Sequence, residues 1–139
     1  MRLAVLAVLA LLAVLGACSS QSADDVAARE VDAFTSWAAT AHLVADRWLA
    51  DAVPDHFASQ TLRLLDQTLR KELRKNASGT LPEDVRSRLN ATASAIDSAA
   101  VAMRTAIERR DRTTVAEQIG RLSAARRALT ELTKRGGTS

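Results

Sequence analysis

The chain has 139 residues, 47% of them hydrophobic but only four aromatic, and its charged residues give a formal net of +3. This is too apolar for a disordered chain, and its wealth of Ala, Leu, Arg and Asp with five glycines and two prolines points to helices. The pI near 9.7 does not imply nucleic acid, because 19 basic side chains are interleaved with 16 acidic ones, the pattern of a solvated surface.

The first eighteen residues differ from the rest. Met1-Arg2 is a short basic start, Leu3 to Val14 is an unbroken run of Leu, Ala and Val, and small residues precede Cys18. These are the parts of an export signal. The uncharged stretch Leu3 to Ala17 is 15 residues. At ~1.5 Å per residue it is shorter than the ~30 Å hydrocarbon core of a bilayer.

Leu15-Gly16-Ala17-Cys18 resembles the lipobox of bacterial lipoproteins: an aliphatic residue, two small residues, then cysteine. The resemblance covers only about the first twenty residues, and its basic region, a single Arg2, is sparser than is common. It implies cleavage of a 1–17 signal peptide, diacylation of the Cys18 thiol with palmitate-type chains, and anchorage in the bacterial cell membrane. Ser19 stands where an Asp would imply inner-membrane retention. In a cell with two membranes the class therefore implies the periplasmic face of the outer one. Each buried CH₂ contributes roughly 0.8 kcal/mol, so two or more chains hold firmly where one does not. With Cys18 acylated, no thiol remains for a disulfide, a metal or catalysis.

Residues 18–24 are expected to form a tether, 25–135 an antiparallel up-down-up-down four-helix bundle, and 136–139 a flexible tail beginning at Gly136-Gly137. The first helix is predicted over 25–52, with a stripe of Val31, Phe34, Ala38, Ala41, Val44 and Trp48 at steps of three and four. Pro54 opens the second, over 54–75, with Ala58, Leu62, Leu65, Leu69 and Leu73, and Arg70, Lys71, Arg74 and Lys75 complement the dipole near its end.

The third helix is predicted over 81–110, with Val85, Leu89, Ala93, Ile96, Ala100, Met103 and Ile107. Thr80 and Glu83 form a candidate capping box for it, with Pro82 in the first turn. The break before the fourth helix, 114–134, lacks Gly and Pro, so Asp111 or Thr114 must cap it or helices three and four run on continuously. Acid-first pairs at i,i+4 (Asp25–Arg29, Asp66–Arg70, Asp84–Arg88, Glu117–Arg121 and Glu131–Arg135) mark water-facing sides at ~0.2–0.5 kcal/mol each.

Little in the sequence points to chemistry. His42 and His56 are the only histidines and make no metal-ligand spacing; Asp46 is one turn from His42, a surface pair. Met103 sits in a core stripe with no histidine on the third or fourth helix, which speaks against a haem ligand. There is no phosphate loop, no nucleophile elbow, and no paired acids with supporting polar residues. No catalytic residue, metal or cofactor is therefore expected.

All four aromatics fall within residues 34–57. They are either the bulky centre of the bundle, opposite an Ala-rich third helix, or a docking patch near the junction of helices one and two. In the second case Trp37, Trp48 and Phe57, with Arg47 nearby, form a candidate protein-binding site. Trp37, mid-helix, is expected to be the better shielded of the two tryptophans and Trp48 partly exposed.

Residues 19–52 carry a net charge of −4 and residues 53–139 a net of +6. This implies either complementary packing or a basic surface for anionic lipid or an acidic partner. The reading favoured is a non-enzymatic envelope lipoprotein that binds another envelope component, with no nucleic acid. The alternatives are an inhibitor or immunity lipoprotein neutralising a toxin or hydrolase, a structural spacer, and a small-ligand carrier.

Replacing Cys18 with Ala is expected to block processing or release the protein from membranes, and to abolish labelling by palmitate. Label on the Ala variant would contradict the lipobox reading.

Overall fold

A computed structural model describes residues 22–76, 79 and 81–136. The signal segment and Cys18, the Thr80 cap and residues 137–139 of the tail lie outside the described residues. Four helices follow one another: α1 (Ala23–Leu49), α2 (Asp55–Asn76), α3 (Glu83–Glu108) and α4 (Arg112–Gly136). They form a four-helix bundle. Each packs on its neighbours in the chain, and α4 closes the ring against α1.

The helix ends have local causes. Ser22 caps α1, its hydroxyl accepting the Asp25 amide at 3.2 Å, so the helix begins two residues before the expected Asp25. Pro54 lies just ahead of α2, and its carbonyl accepts from the Ala58 amide at 3.1 Å. The N-cap of α3 is Pro82, with an extended ψ and no side-chain bond, where the sequence placed this proline in the first turn. Glu83 pairs with Arg86, one turn on.

Helices three and four are separate. The α3–α4 turn is closed by Asp111, whose carboxylate accepts the Thr114 amide at 3.0 Å and the Thr114 hydroxyl at 2.6 Å. The chain therefore does not run on continuously from α3 into α4.

The core follows the stripes. Val31, Phe34, Ala38, Ala41, Ala45 and Trp48 of α1 are buried, and they step by three and four in strict alternation. Leu62 and Leu69 of α2, Leu89, Ile96, Met103 and Ile107 of α3, and Val115, Leu122 and Leu129 of α4 complete the interior. Side-chain size shapes the cross-section. The seams of α1 and α3 are rich in alanine, and these two helices touch across the diagonal, whereas the leucine-lined α2 and α4 do not. The α1–α2 side is the least extensive of the four, and Asn76 pins its far end by donating to Glu30 at 2.8 Å.

Of the i,i+4 pairs, Asp66–Arg70 closes, but Asp66 is half-buried against α3 and not on a water-facing side. Glu72–Lys75 and Glu131–Lys134 also close, at i,i+3.

Leu69 and Ile96 are both fully buried, on the adjacent helices α2 and α3. Leu69→Ala should therefore lower unfolding stability by ~2–5 kcal/mol. Arg74→Ala, at an exposed position, should stay within about 0.5 kcal/mol. Equal, small effects in urea denaturation would place the α2 seam elsewhere.

Candidate functional site at the α1–α2 and α3–α4 turns

Two turns meet at the end of the bundle away from Ala23. Both are built alike. After α1, the Ala52 amide donates to the Arg47 carbonyl at 2.8 Å and the Asp51 amide to that of Trp48 at 3.0 Å. After α3, the Asp111 amide donates to Ala106 at 2.8 Å and the Arg110 amide to Ile107 at 3.0 Å. This paired bonding is the Schellman motif, which needs a left-handed residue just past the helix. Glycine fills that position most easily, yet here it is Asp51 (φ 55°) and Arg110 (φ 57°).

The two left-handed residues are joined crosswise to the opposite turn. Asp51 Oδ1 accepts from Arg112 Nη1 at 3.0 Å, and Arg110 Nε donates to Asp55 Oδ2 at 3.1 Å. Arg112 also donates to the Leu49 carbonyl, and its guanidinium lies over the Trp48 ring, 5.5 Å from the centroid. The Trp48 indole N–H donates to the other Asp55 oxygen at 2.8 Å. The hydrogen bond from Trp48, and then that from Arg110, hold the Asp55 carboxyl below its ordinary range. Its contribution to stability is thus present above that range and lost as pH falls through it. The Thr114 bonds hold Asp111 low in the same way.

Around this network is an open depression of about 590 Å³ lined by Trp48, Asp51, Val53, Pro54, Asp55, Arg110 and other residues of the two turns. Val53 and Pro54 line it between two acid–base pairs.

The aromatics do not form one cluster. Phe34 and Trp37 make an edge-to-face pair at 5.3 Å in the middle of α1. Trp48 lies in the turn network, and Phe57, 53% exposed, stands on the outside of α2. Arg47 is exposed on the last turn of α1.

The expected order of the tryptophans is reversed: Trp48 is 4% exposed, and Trp37 is half-buried at the edge of the core. Eleven residues bring them within about 20° on a straight helix of 3.6 residues per turn. The buried seam of α1 repeats every seven residues, however, and drifts ~20° per heptad around the helix, so Trp48 falls on it and Trp37 beside it.

His42 and Asp46 form an exposed-side pair at 3.6 Å, and Met103 is fully buried. Among the described residues no group of three or more His, Cys, Asp or Glu could hold a metal. No family model, curated protein or solved structure matches the chain, so the reading of the site stands on its own geometry.

With Trp48→Phe leaving Trp37 as the reporter, acrylamide should quench fluorescence readily. With Trp37→Phe leaving Trp48, quenching should be weak. The opposite order would contradict the placement of Trp48 on the seam.

Proposed function

We propose that this chain is a non-enzymatic, lipid-anchored module of the bacterial envelope that holds its turn end toward a protein partner. Two features support the reading. The lipobox-like segment would place Cys18 at a membrane, on the periplasmic face of the outer one in a two-membrane cell. Helix α1, 27 residues long, would then carry the turns ~40 Å away from the anchored end.

The observation that carries the proposal is the pair of non-glycine residues at left-handed positions. A left-handed conformation costs roughly 1–2 kcal/mol for an ordinary L-residue, less for Asp. The Asp51 and Arg110 side chains are 84% and 81% exposed. Exposed ion pairs return only about 0–1 kcal/mol. Folding alone gives these residues no clear advantage over glycine. Binding gives one, because they fix two charged pairs around the open depression that Val53 and Pro54 also line, and so present a polar edge to a partner.

The test is photocrosslinking in the native envelope, with a photoreactive residue at Val53 on the tip or at Ala91 on the side of α3. A discrete adduct is expected from Val53 and not from Ala91, and Arg110→Glu should abolish it without unfolding the domain. Adducts that are equal from both positions, or unchanged by Arg110→Glu, would overturn the proposal.

A further inference from the structure

Away from the turns, the α2–α3 side holds a pair of carboxyls separated by 31 positions in sequence. Asp66 of α2 and Asp97 of α3 lie within hydrogen-bonding reach of one another. Both are half-buried, with side chains 13% and 17% exposed. One guanidinium serves both: Arg70 Nε is 2.5 Å from Asp66 Oδ1, and its Nη2 is 3.5 Å from Asp97 Oδ2. The groups that face the pair are Asp66 and Arg70 from α2, and Asp97 and Arg104 from α3. In the sequence Asp66 stands only as the i,i+4 partner of Arg70, and nothing local to α2 points to Asp97.

The two carboxyls are not equivalent. Arg70 sits closer to Asp66, and Arg104 also acts on it. Asp97 receives the longer contact, and its Oδ1 is buried with no hydrogen-bond partner. Two ionised carboxylates at this range repel each other, with the second poorly compensated in a partly dry setting. A proton on Asp97 changes this: the carboxyl becomes a donor to Asp66, and the repulsion across the interface disappears.

We propose that Asp66 and Asp97 share one proton as a clasp between α2 and α3, so that this side of the bundle is tightest in mildly acidic medium and loosens as pH rises. Burial first, and then the Asp66 carboxyl beside it, push Asp97 up to about 6. Burial also opposes ionisation of Asp66, but the hydrogen bonds from Asp97 and Arg70 outweigh it and hold Asp66 below its ordinary range. The signs follow from linkage. The Asp97 contribution is complete below the unfolded carboxyl range and is lost as pH rises through about 6, the proton leaving to solvent. The Asp66 contribution is lost in the opposite direction, below its ordinary range. The clasp is therefore strongest between the two, and the element it releases is the contact of α2 with α3.

Hydrogen exchange of the whole domain, corrected for intrinsic rates, tests this. Between about pH 5 and about pH 7.5 the opening constant of α2 and α3 amides should rise about tenfold. Asp97→Asn should remove that rise. If the variant does not fold, carbon-detected NMR titration of the wild-type carboxyls decides. A transition of Asp97 near 6 sustains the clasp. An Asp97 that titrates in the ordinary range, or a wild type and Asp97→Asn with the same pH response, overturns it.

Discussion

The seam of small and large apolar residues shared by the four helices is the constraint on which this structure depends. The only cysteine in the sequence is Cys18, so no internal disulfide can restrain the bundle. Cohesion must come from burial, at roughly 25 cal/mol per Å² of apolar surface, and from close packing. Alanines on α1 and α3 let those two helices meet across the diagonal, and leucines on α2 and α4 fill the flanks. That unequal division leaves the α1–α2 side least extensive. Leu43 of α1 and Phe57 and Leu64 of α2 are more than half exposed.

Onto that frame the polar groups add order at particular places. Glu30–Asn76 closes one end of the α1–α2 side, and the Trp48, Asp55 and Arg112 network ties the other end to the start of α4. Asp66 and Asp97 lie between α2 and α3. The turn network is largely exposed at its charged tips and buried at its indole, which is how a rigid surface can be held without a large energetic contribution from the ion pairs themselves. The carboxyl pair has the opposite character. It is partly removed from water, so its protonation affects the packing around it.

The helical seams were legible in the sequence because burial imposes a period that can be read directly, and the stripes of Leu62–Leu69 and Leu89–Ile107 lie inside as read. Boundaries were less legible. Ser22, read as part of a tether, caps α1 from three residues before Asp25, and Pro82, read as lying in the first turn of α3, is its N-cap. The two tryptophans lie in the reverse of the expected order because the seam's seven-residue repeat, and not a mid-helix position, decides which of them is shielded. Asp66 read as a surface partner of Arg70, since nothing local to α2 reveals that Asp97 faces it from another helix. The left-handed positions of Asp51 and Arg110 carried no glycine signal at all. Yet Arg110-Asp111, with a capping residue next in the chain, was the one local cue to the second turn.

On the proposed reading the turn residues shape a binding surface and do not hold the fold. The most direct measurement is the unfolding free energy of Arg110→Gly, which removes the Asp55 pair and relieves the left-handed backbone at once. The expected result is a domain as stable as the wild type, or more stable by up to about 1 kcal/mol. A loss of more than about 2 kcal/mol, beyond what an exposed pair can supply, would contradict it and make the network a structural lock.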